Sequence, residues 1–352
     1  MTLVSIIGDF YSSVIPVFYE FKDKIDRHII ISDDSKRDSV HARHFQRGIE
    51  NFCKKHSLNI KQEFFSIDED SVESLDRVLS YIPQNSVINT TDGLSFINTY
   101  FSVKLLPKGV NFISYDIFDN EMILLNAKSV KRIKPKKSVP VLDYFLLRDI
   151  EVKSVGDKAF AKKYARAIKD IFELHHSEFK KFKYELTAKN TLPKRNKFKA
   201  VYYLLDKMNA PKTYSGLFKF ATGTLFEYYV YLRLKELGFD DLEVGVSIQN
   251  DEVVNEFDVL VMENNHLHIV ECKHKNDKRL FIGDLIYKYY ALRNIIDYDA
   301  KAAIISLAET YSEHHIKRAL SYNIGLFGIK QIGRVREFLK EGEYDSEKFI
   351  YT

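Results

Sequence analysis

The stretch Glu256-Phe257-Asp258-Val259-Leu260-Val261-Met262-Glu263-Asn264-Asn265-His266-Leu267-His268-Ile269-Val270-Glu271-Cys272-Lys273 decides the fold. Two runs rich in valine, isoleucine and leucine, residues 256–262 and 267–273, flank a four-residue polar break, the pattern of two strands and a tight turn. Asparagine tolerates the positive φ that such turns require, so Asn264 and Asn265 are the expected central pair. That choice sets the register, with Asp258 facing Glu271 and Glu256 facing Lys273. Glu271 and Lys273 share one face by the period of two.

Carboxylates facing each other across a strand pair, about 5 Å apart, repel. A divalent cation between them removes the repulsion, and oxygen ligands of this kind suit magnesium or manganese. Apolar Val259, Val261, Ile269 and Val270 put the pair at the margin of a core. A structural salt-bridge network with Lys273 is the competing reading, but a simple ion pair does not require the second acid. Upstream, residues 223–237 read as a helix that stops at Gly238, with Glu227 in its second turn and able to lean toward the hairpin. Downstream, Lys288 lies on a helix over 284–296. Each of these two is ordinary alone. Their order gives them weight: an acid on a helix, a strand aspartate, Glu-x-Lys, then a helix.

Farther out, residues 1–126 alternate short apolar runs (3–7, 28–31, 60–67, 86–89, 110–115, 121–125) with helical patterns (15–21, 36–56, 72–82, 95–106). Such alternation makes a parallel, doubly wound sheet, and ligands sit beyond the carboxyl ends of its strands. Two loops therefore stand out. One holds Gly8, Asp9, Phe10, Ser12 and Ser13; the other holds Thr90, Thr91, Asp92, Gly93 and Ser95. Both place small and hydroxyl residues at helix N-termini, where free N–H groups favour phosphate. Caps and turns explain the same residues equally simply. Neither G-x-G-x-x-G nor a Walker A motif is present, so an ordinary dinucleotide or NTP site is unsupported.

The 352 residues are 45% apolar and 29% charged, which excludes global disorder. Two cysteines, Cys53 and Cys272, exclude a disulfide scaffold or a cysteine zinc cluster. The absence of a long apolar run and of a basic leader implies no membrane span and a cytoplasmic location. Net charge is +4, but residues 127–212 hold 23 basic and 9 acidic residues, whereas both flanking segments are net acidic. A basic middle points to a polyanionic partner, and solvated lysine-rich helices are the alternative. Residues 127–150 read as a linker, and 157–183 and 197–207 as helices. Aromatic residues interleave with the lysines at 179–184 and 198–203, a pattern of core packing or of base stacking.

The C-terminal order resembles the PD-(D/E)xK restriction-endonuclease-like fold, with Asp258 and Glu271-Cys272-Lys273 as the motif and Phe257 where the proline stands. The resemblance implies that Asp258, Glu271 and the Cys272 backbone carbonyl bind one or two Mg2+ or Mn2+ ions, with Glu227 holding the metal, often through water. It implies that Lys273 orients or deprotonates the attacking water, and that Lys288 contacts the scissile phosphate. Both ends together resemble the CRISPR-associated Rossmann-fold (CARF) effector nucleases of type III immunity. Their signature loop, a strand followed by Asn-x-Thr-Gly-Gly and a Thr-Lys pair, is approached by Asn89-Thr90-Thr91-Asp92-Gly93, in which Asp92 stands at the first glycine and Leu94-Ser95 replace the Thr-Lys pair. Asp92 thus puts a carboxylate where phosphate would approach. This family implies an α/β chain of three parts: a Rossmann-like sensor at 1–126, a basic helical connector at 127–212 and a restriction-endonuclease-like nuclease at 213–352. It also implies a homodimer activated by a cyclic oligoadenylate, usually cyclic tetra-adenylate, that cleaves DNA or RNA in antiviral defence. Two alternatives are an ungated restriction- or repair-type DNA endonuclease and a non-catalytic nucleotide-sensing regulator; the intact Glu227, Asp258, Glu271 and Lys273 speak against decay.

Overall fold

Strand β1 (Thr2–Ile7), fully buried along its length, is the third strand of a seven-stranded sheet in the computed structural model. The structure describes residues 1–33, 36–68, 70–250, 253–273, 282–296, 300–307 and 311–340. The chain divides into two units, Met1–Val152 and Lys153–Thr352.

In the first unit, β2 (Arg27–Asp33), β3 (Lys61–Ile67), β4 (Ser86–Asn89) and β5 (Asn111–Asp116) run parallel to β1 in the order β3-β2-β1-β4-β5. Helices α1 (Ile15–Phe21) and α2 (Lys36–His56) cover one face, where Phe18 and Phe45 pack on His28 of β2. The other face carries α3 (Val72–Ser80) and α4 (Ser95–Leu105), whose Leu75, Val78, Ile97 and Phe101 bury Val4, Ile6, Ile29 and Ile31. The sheet is therefore doubly wound, as the alternation of residues 1–126 implies. Strand order reverses between β1 and β4, and the crevice for a ligand in such sheets lies at that reversal.

Residues 127–150, read from sequence as a linker, contain structure. Strand β6 (Glu121–Asn126) pairs antiparallel with β5, and β7 (Ser129–Ile133) pairs antiparallel with β6 as the sheet edge. Exposed Lys131 and Arg132 on β7 account for the linker-like composition, because edge strands carry charges that discourage further pairing. Helix α5 (Val141–Leu147) buries Val141, Tyr144, Phe145 and Leu147. The close approach of α2 to α5 depends on Gly48, where a Cβ would stand 2.2 Å from the Leu147 carbonyl oxygen.

The second unit is built on a six-stranded sheet in the order β13-β12-β11-β10-β9-β8. Its strands are β8 (Glu151–Ser154), β9 (Asp241–Asn250), β10 (Val253–Glu263), β11 (His266–Lys273), β12 (Ala302–Ser306) and β13 (Ile324–Gly328). Strands β9 to β11 form an antiparallel meander, and β11 to β13 run parallel. Helices α6 (Lys158–Lys163), α7 (Ala165–Glu173), α8 (His176–Lys189), α9 (Lys199–Lys207), α10 (Tyr214–Lys219) and α11 (Leu225–Glu236) share one apolar core with this sheet. Phe172 of α7, for instance, packs on Phe226 and Tyr229 of α11. The basic helices are thus part of the unit's core.

Candidate active site

The hairpin has the register that an Asn264-Asn265 turn demands. Both asparagines have positive φ, 55° and 62°, and the pairs run from Glu263↔His266 to Val259↔Val270. One step further, the ladder stops at Asp258 and Glu271. Instead of continuing the backbone pairing, the Asp258 Oδ2 accepts the Cys272 N–H at 2.7 Å. On the other side of β10, Phe257↔Val246 and Val259↔Val244 pair but Asp258 and Gly245 do not, and Gly245 has φ +61°. A local break of this kind re-aims the side chain it releases. Asp258 is freed from both ladders at the point where its carboxylate meets Glu271.

Glu271 is buried, 3% exposed, and its Oε1 is ion-paired with the Lys273 ammonium. The two residues share the face expected from the period of two. The pair holds the ammonium charged, since the carboxylate offsets what burial would take away. Burial first, then Glu271 and Glu227, push the Asp258 carboxyl well above the ordinary carboxylate range. Glu227 is raised to about 7, mostly by burial and then by Glu271 and Glu256. Its helix enters irregularly, through a π-helical turn, Phe220–Thr224, of the kind that recurs at functional sites. Within that turn Gly223 leaves the space that the Glu227 carboxylate uses, for a Cβ there would lie 3.3 Å from Glu227 Oε1.

The structure therefore brings Asp258, Glu271, Lys273 and Glu227 into one electrostatic cluster. Among the described residues, no three His, Cys, Asp or Glu side chains already stand in a ligating array. The Cys272 thiol is half-buried and its pKa raised well up by burial and the acids around it. Lys288, on α12 (Ile282–Ile296), is exposed and reaches the cluster only through its neighbour: its Nζ donates to the Tyr289 hydroxyl at 3.1 Å. Tyr289 is fully buried, and its hydroxyl is hydrogen-bonded to the Glu271 side chain. Sequence reasoning missed it. The available signal was an apolar-spaced tyrosine, Ile286, Tyr289, Leu292, Ile296, on the helix after Glu-x-Lys.

In the first unit, the two candidate loops meet at the strand-order reversal. The Asp92 carboxylate accepts from Gly8 N at 2.8 Å and Phe10 N at 3.4 Å, and also from Gly93 N. Gly93 has φ +85° and lies against Ile6, where a Cβ would be 2.4 Å from a side-chain carbon. Thr90 N donates to the Ile113 carbonyl, and Thr91 bonds Asn89 and receives Tyr115 N. The polar groups of Gly8, Phe10, Thr90, Thr91 and Asp92 are thus used within the protein. Ser12 and Ser13 are half-buried, and Asp9, Phe10 and Ser95 are exposed at the mouth. Phe96, beside Ser95 on α4, is 54% exposed and was not among the sequence candidates.

Residues 216–345 match the family described as "Card1-like, endonuclease domain". No curated protein sequence matches the chain. Its fold is similar to that of protein VC1899 from Vibrio cholerae, with a TM-score of 0.73 at 16% identity, covering 99% of this chain and 97% of that one. Can2 from Sulfobacillus thermosulfidooxidans, solved in complex with cyclic tetra-adenylate, gives 0.70 at 18% identity over 100% and 99%. A type III CRISPR defence DNA nuclease activated by cyclic oligoadenylate gives 0.60 at 11% identity, covering 97% of this chain and 52% of that chain. The first two likenesses run over the whole of both chains and show the fold, a doubly wound sheet followed by a second α/β unit. The Card1-like domain contains every member of the acid–lysine cluster. No helix among the described residues is long and apolar enough to cross a membrane.

Proposed function

We propose that the protein is a metal-dependent nuclease of type III CRISPR defence, acting as a homodimer and switched on by a cyclic oligoadenylate. The observation that carries the reading is the cluster of Asp258, Glu271, Lys273 and Glu227 within a Card1-like endonuclease domain. Two solved neighbours, named for a cyclic tetra-adenylate complex and for cyclic oligoadenylate activation, support the choice of effector.

The residues fit an oxygen-bound dication such as Mg2+ or Mn2+. The raised pKa values of half-buried Asp258 and Glu227 favour their protonated forms, and a cation bound between the acids would displace those protons. Asp258 and Glu271 would be the direct ligands, with the Cys272 carbonyl and Glu227 completing the set. Such an ion supplies Lewis acidity and a water of lowered pKa. Lys273 stays protonated against Glu271, so it offers positive charge to the developing phosphorane and a fixed donor to the attacking water. Lys288 would steady the substrate phosphate from its exposed position beside Tyr289. In the sensor, Asp92 already occupies the Gly8 and Phe10 amides. An effector would therefore approach Ser12, Ser13 and Ser95 at the mouth, with Phe10 and Phe96 offering ring faces.

The test is a panel of single-stranded DNA, single-stranded RNA and plasmid, incubated with Mn2+ and each cyclic oligoadenylate, beside Lys273→Ala. Cleavage is expected only with metal and one cyclic species, and Lys273→Ala is expected to lose roughly 10²–10³-fold. Cleavage that ignores the cyclic nucleotide makes the ungated endonuclease the better reading. No cleavage under any condition makes it a sensing regulator.

A further inference from the structure

Helices α8 and α9 each turn one tyrosine away from the core that their other aromatics build. Phe179 and Phe182 of α8, and Phe198 and Tyr202 at α9, are buried; Phe182 meets Phe198 and Tyr202 edge-on. Tyr184 and Tyr203 lie on the opposite side of their helices and are 70% and 67% exposed. Neither ring contributes to the buried core. Lysines surround both at helical spacing. On α8, Lys180 and Lys181 precede Tyr184 by four and three residues; on α9, Lys199, Tyr203 and Lys207 form a stripe at i, i+4 and i+8.

Charge on this surface is unbalanced. Residues 176–207 carry nine lysines and arginines against three acids. Each acid is committed: Glu185 to Lys197, Asp206 to Arg195 at 2.7 Å, and Glu178 to the Val201 N–H at 3.3 Å. Lys180, Lys181, Lys199 and Lys207 are exposed and have no ion pair among the described residues. The Glu178–Val201 contact fastens α8 to α9, and Glu185–Lys197 fastens α8 to the turn that leads into α9, so the two helices form one platform. That platform packs through α7 against α11, the helix of Glu227.

We propose that the outer surface of α8 and α9 is a holding site for single-stranded nucleic acid, with Tyr184 and Tyr203 stacking on bases and the four lysines tracking the phosphates. Rings on a cationic surface suit unpaired bases, whose faces a duplex hides. The inference rests on the nuclease reading only for the kind of partner, and its test does not use cleavage.

Fluorescein-labelled 20-mers are titrated with the full-length protein in EDTA, followed by anisotropy. The strands are single-stranded DNA, single-stranded RNA, the DNA duplex and an abasic DNA strand. Tyr184→Ala and Tyr203→Ala are each expected to weaken single-strand binding roughly tenfold, while Tyr184→Phe and Tyr203→Phe retain it. Abasic and duplex strands should bind weakly and ignore the tyrosine changes. Lys199→Ala and Lys207→Ala should weaken all strands and reduce the salt slope by about one each. Unchanged binding in the Tyr184→Ala/Tyr203→Ala double variant, or equal affinity for abasic and base-bearing strands, overturns the proposal. So does the absence of single-strand binding by the parent protein. Binding without cleavage in the Mn2+ panel would leave this surface standing and sink the nuclease reading alone. The DNA and RNA strands identify which polymer it prefers.

Discussion

Glu271 is the most constrained side chain of the site, held by Lys273 on one side and Tyr289 on the other. Two expectations follow at the level of single residues. Tyr289→Phe keeps the ring and removes only the bond to Glu271. By analogy with second-layer partners of metal ligands, it should raise the Mn2+ concentration for half-maximal cleavage roughly tenfold without changing thermal stability much. A half-saturation point equal to that of the parent protein would show that the hydroxyl does not orient the acid. The second expectation concerns pH. A carboxyl whose pKa is raised by folding holds its proton more tightly in the native state, so its stabilising contribution is complete below the unfolded value near 4.5 and is lost as pH rises through about 7. Metal-free protein should therefore lose on the order of 2 kcal/mol between pH 5 and 8 from Glu227, with Asp258 acting in the same direction. Glu227→Gln should flatten that fall, and Mn2+ should stabilise the parent more at pH 8 than at pH 6. Thermal melts across this range check both; a melting temperature that rises with pH in EDTA would contradict the electrostatic account.

At the level of elements, the hairpin was legible because a two-residue Asn-Asn turn leaves one register that keeps Val259, Val261, Ile269 and Val270 buried. The alternation of strand and helix in the first 126 residues was legible for the same reason, since periodicity reports burial. What escaped was non-local. Residues 127–150 read as a linker because an edge strand with Lys131 and Arg132 has the composition of a loop, and only pairing with β6 distinguishes it. Tyr289 escaped because a buried tyrosine looks like core until its hydroxyl is given a partner. The role of Asp92 lay in contacts across more than eighty residues. Sequence showed a carboxylate in a candidate phosphate loop; the structure shows it stitching that loop to the turn after β1. Asp92→Ala leaves three N–H groups without their acceptor, at about 1–3 kcal/mol for each that stays buried. The first unit should melt several degrees lower, and hydrogen exchange at Gly8, Phe10 and Gly93 should accelerate. Unchanged exchange at these amides would mean the stitch contributes nothing to the loop.

For the whole molecule, the central quantity on the proposed reading is the coupling between effector and substrate. A cyclic oligoadenylate that activates cleavage must bind the active arrangement more tightly than the inactive one, because an effector with equal affinity for both shifts nothing. Coupling of binding is reciprocal: substrate that favours the active arrangement must tighten the effector by the same factor. Typical couplings of about 1–3 kcal/mol correspond to roughly 5–150-fold. With metal withheld so that no strand is cut, the affinity for cyclic tetra-adenylate should rise by a factor in that range when single-stranded DNA is saturating. The affinity for DNA should rise equally when the effector is saturating. Lys199→Ala/Lys207→Ala should lower DNA affinity and require more DNA to reach the same effector shift, leaving effector affinity without DNA as in the parent protein. Cyclic tetra-adenylate affinity that is independent of DNA, in a protein that binds both, would separate the two sites energetically and leave an ungated nuclease beside an unconnected sensor.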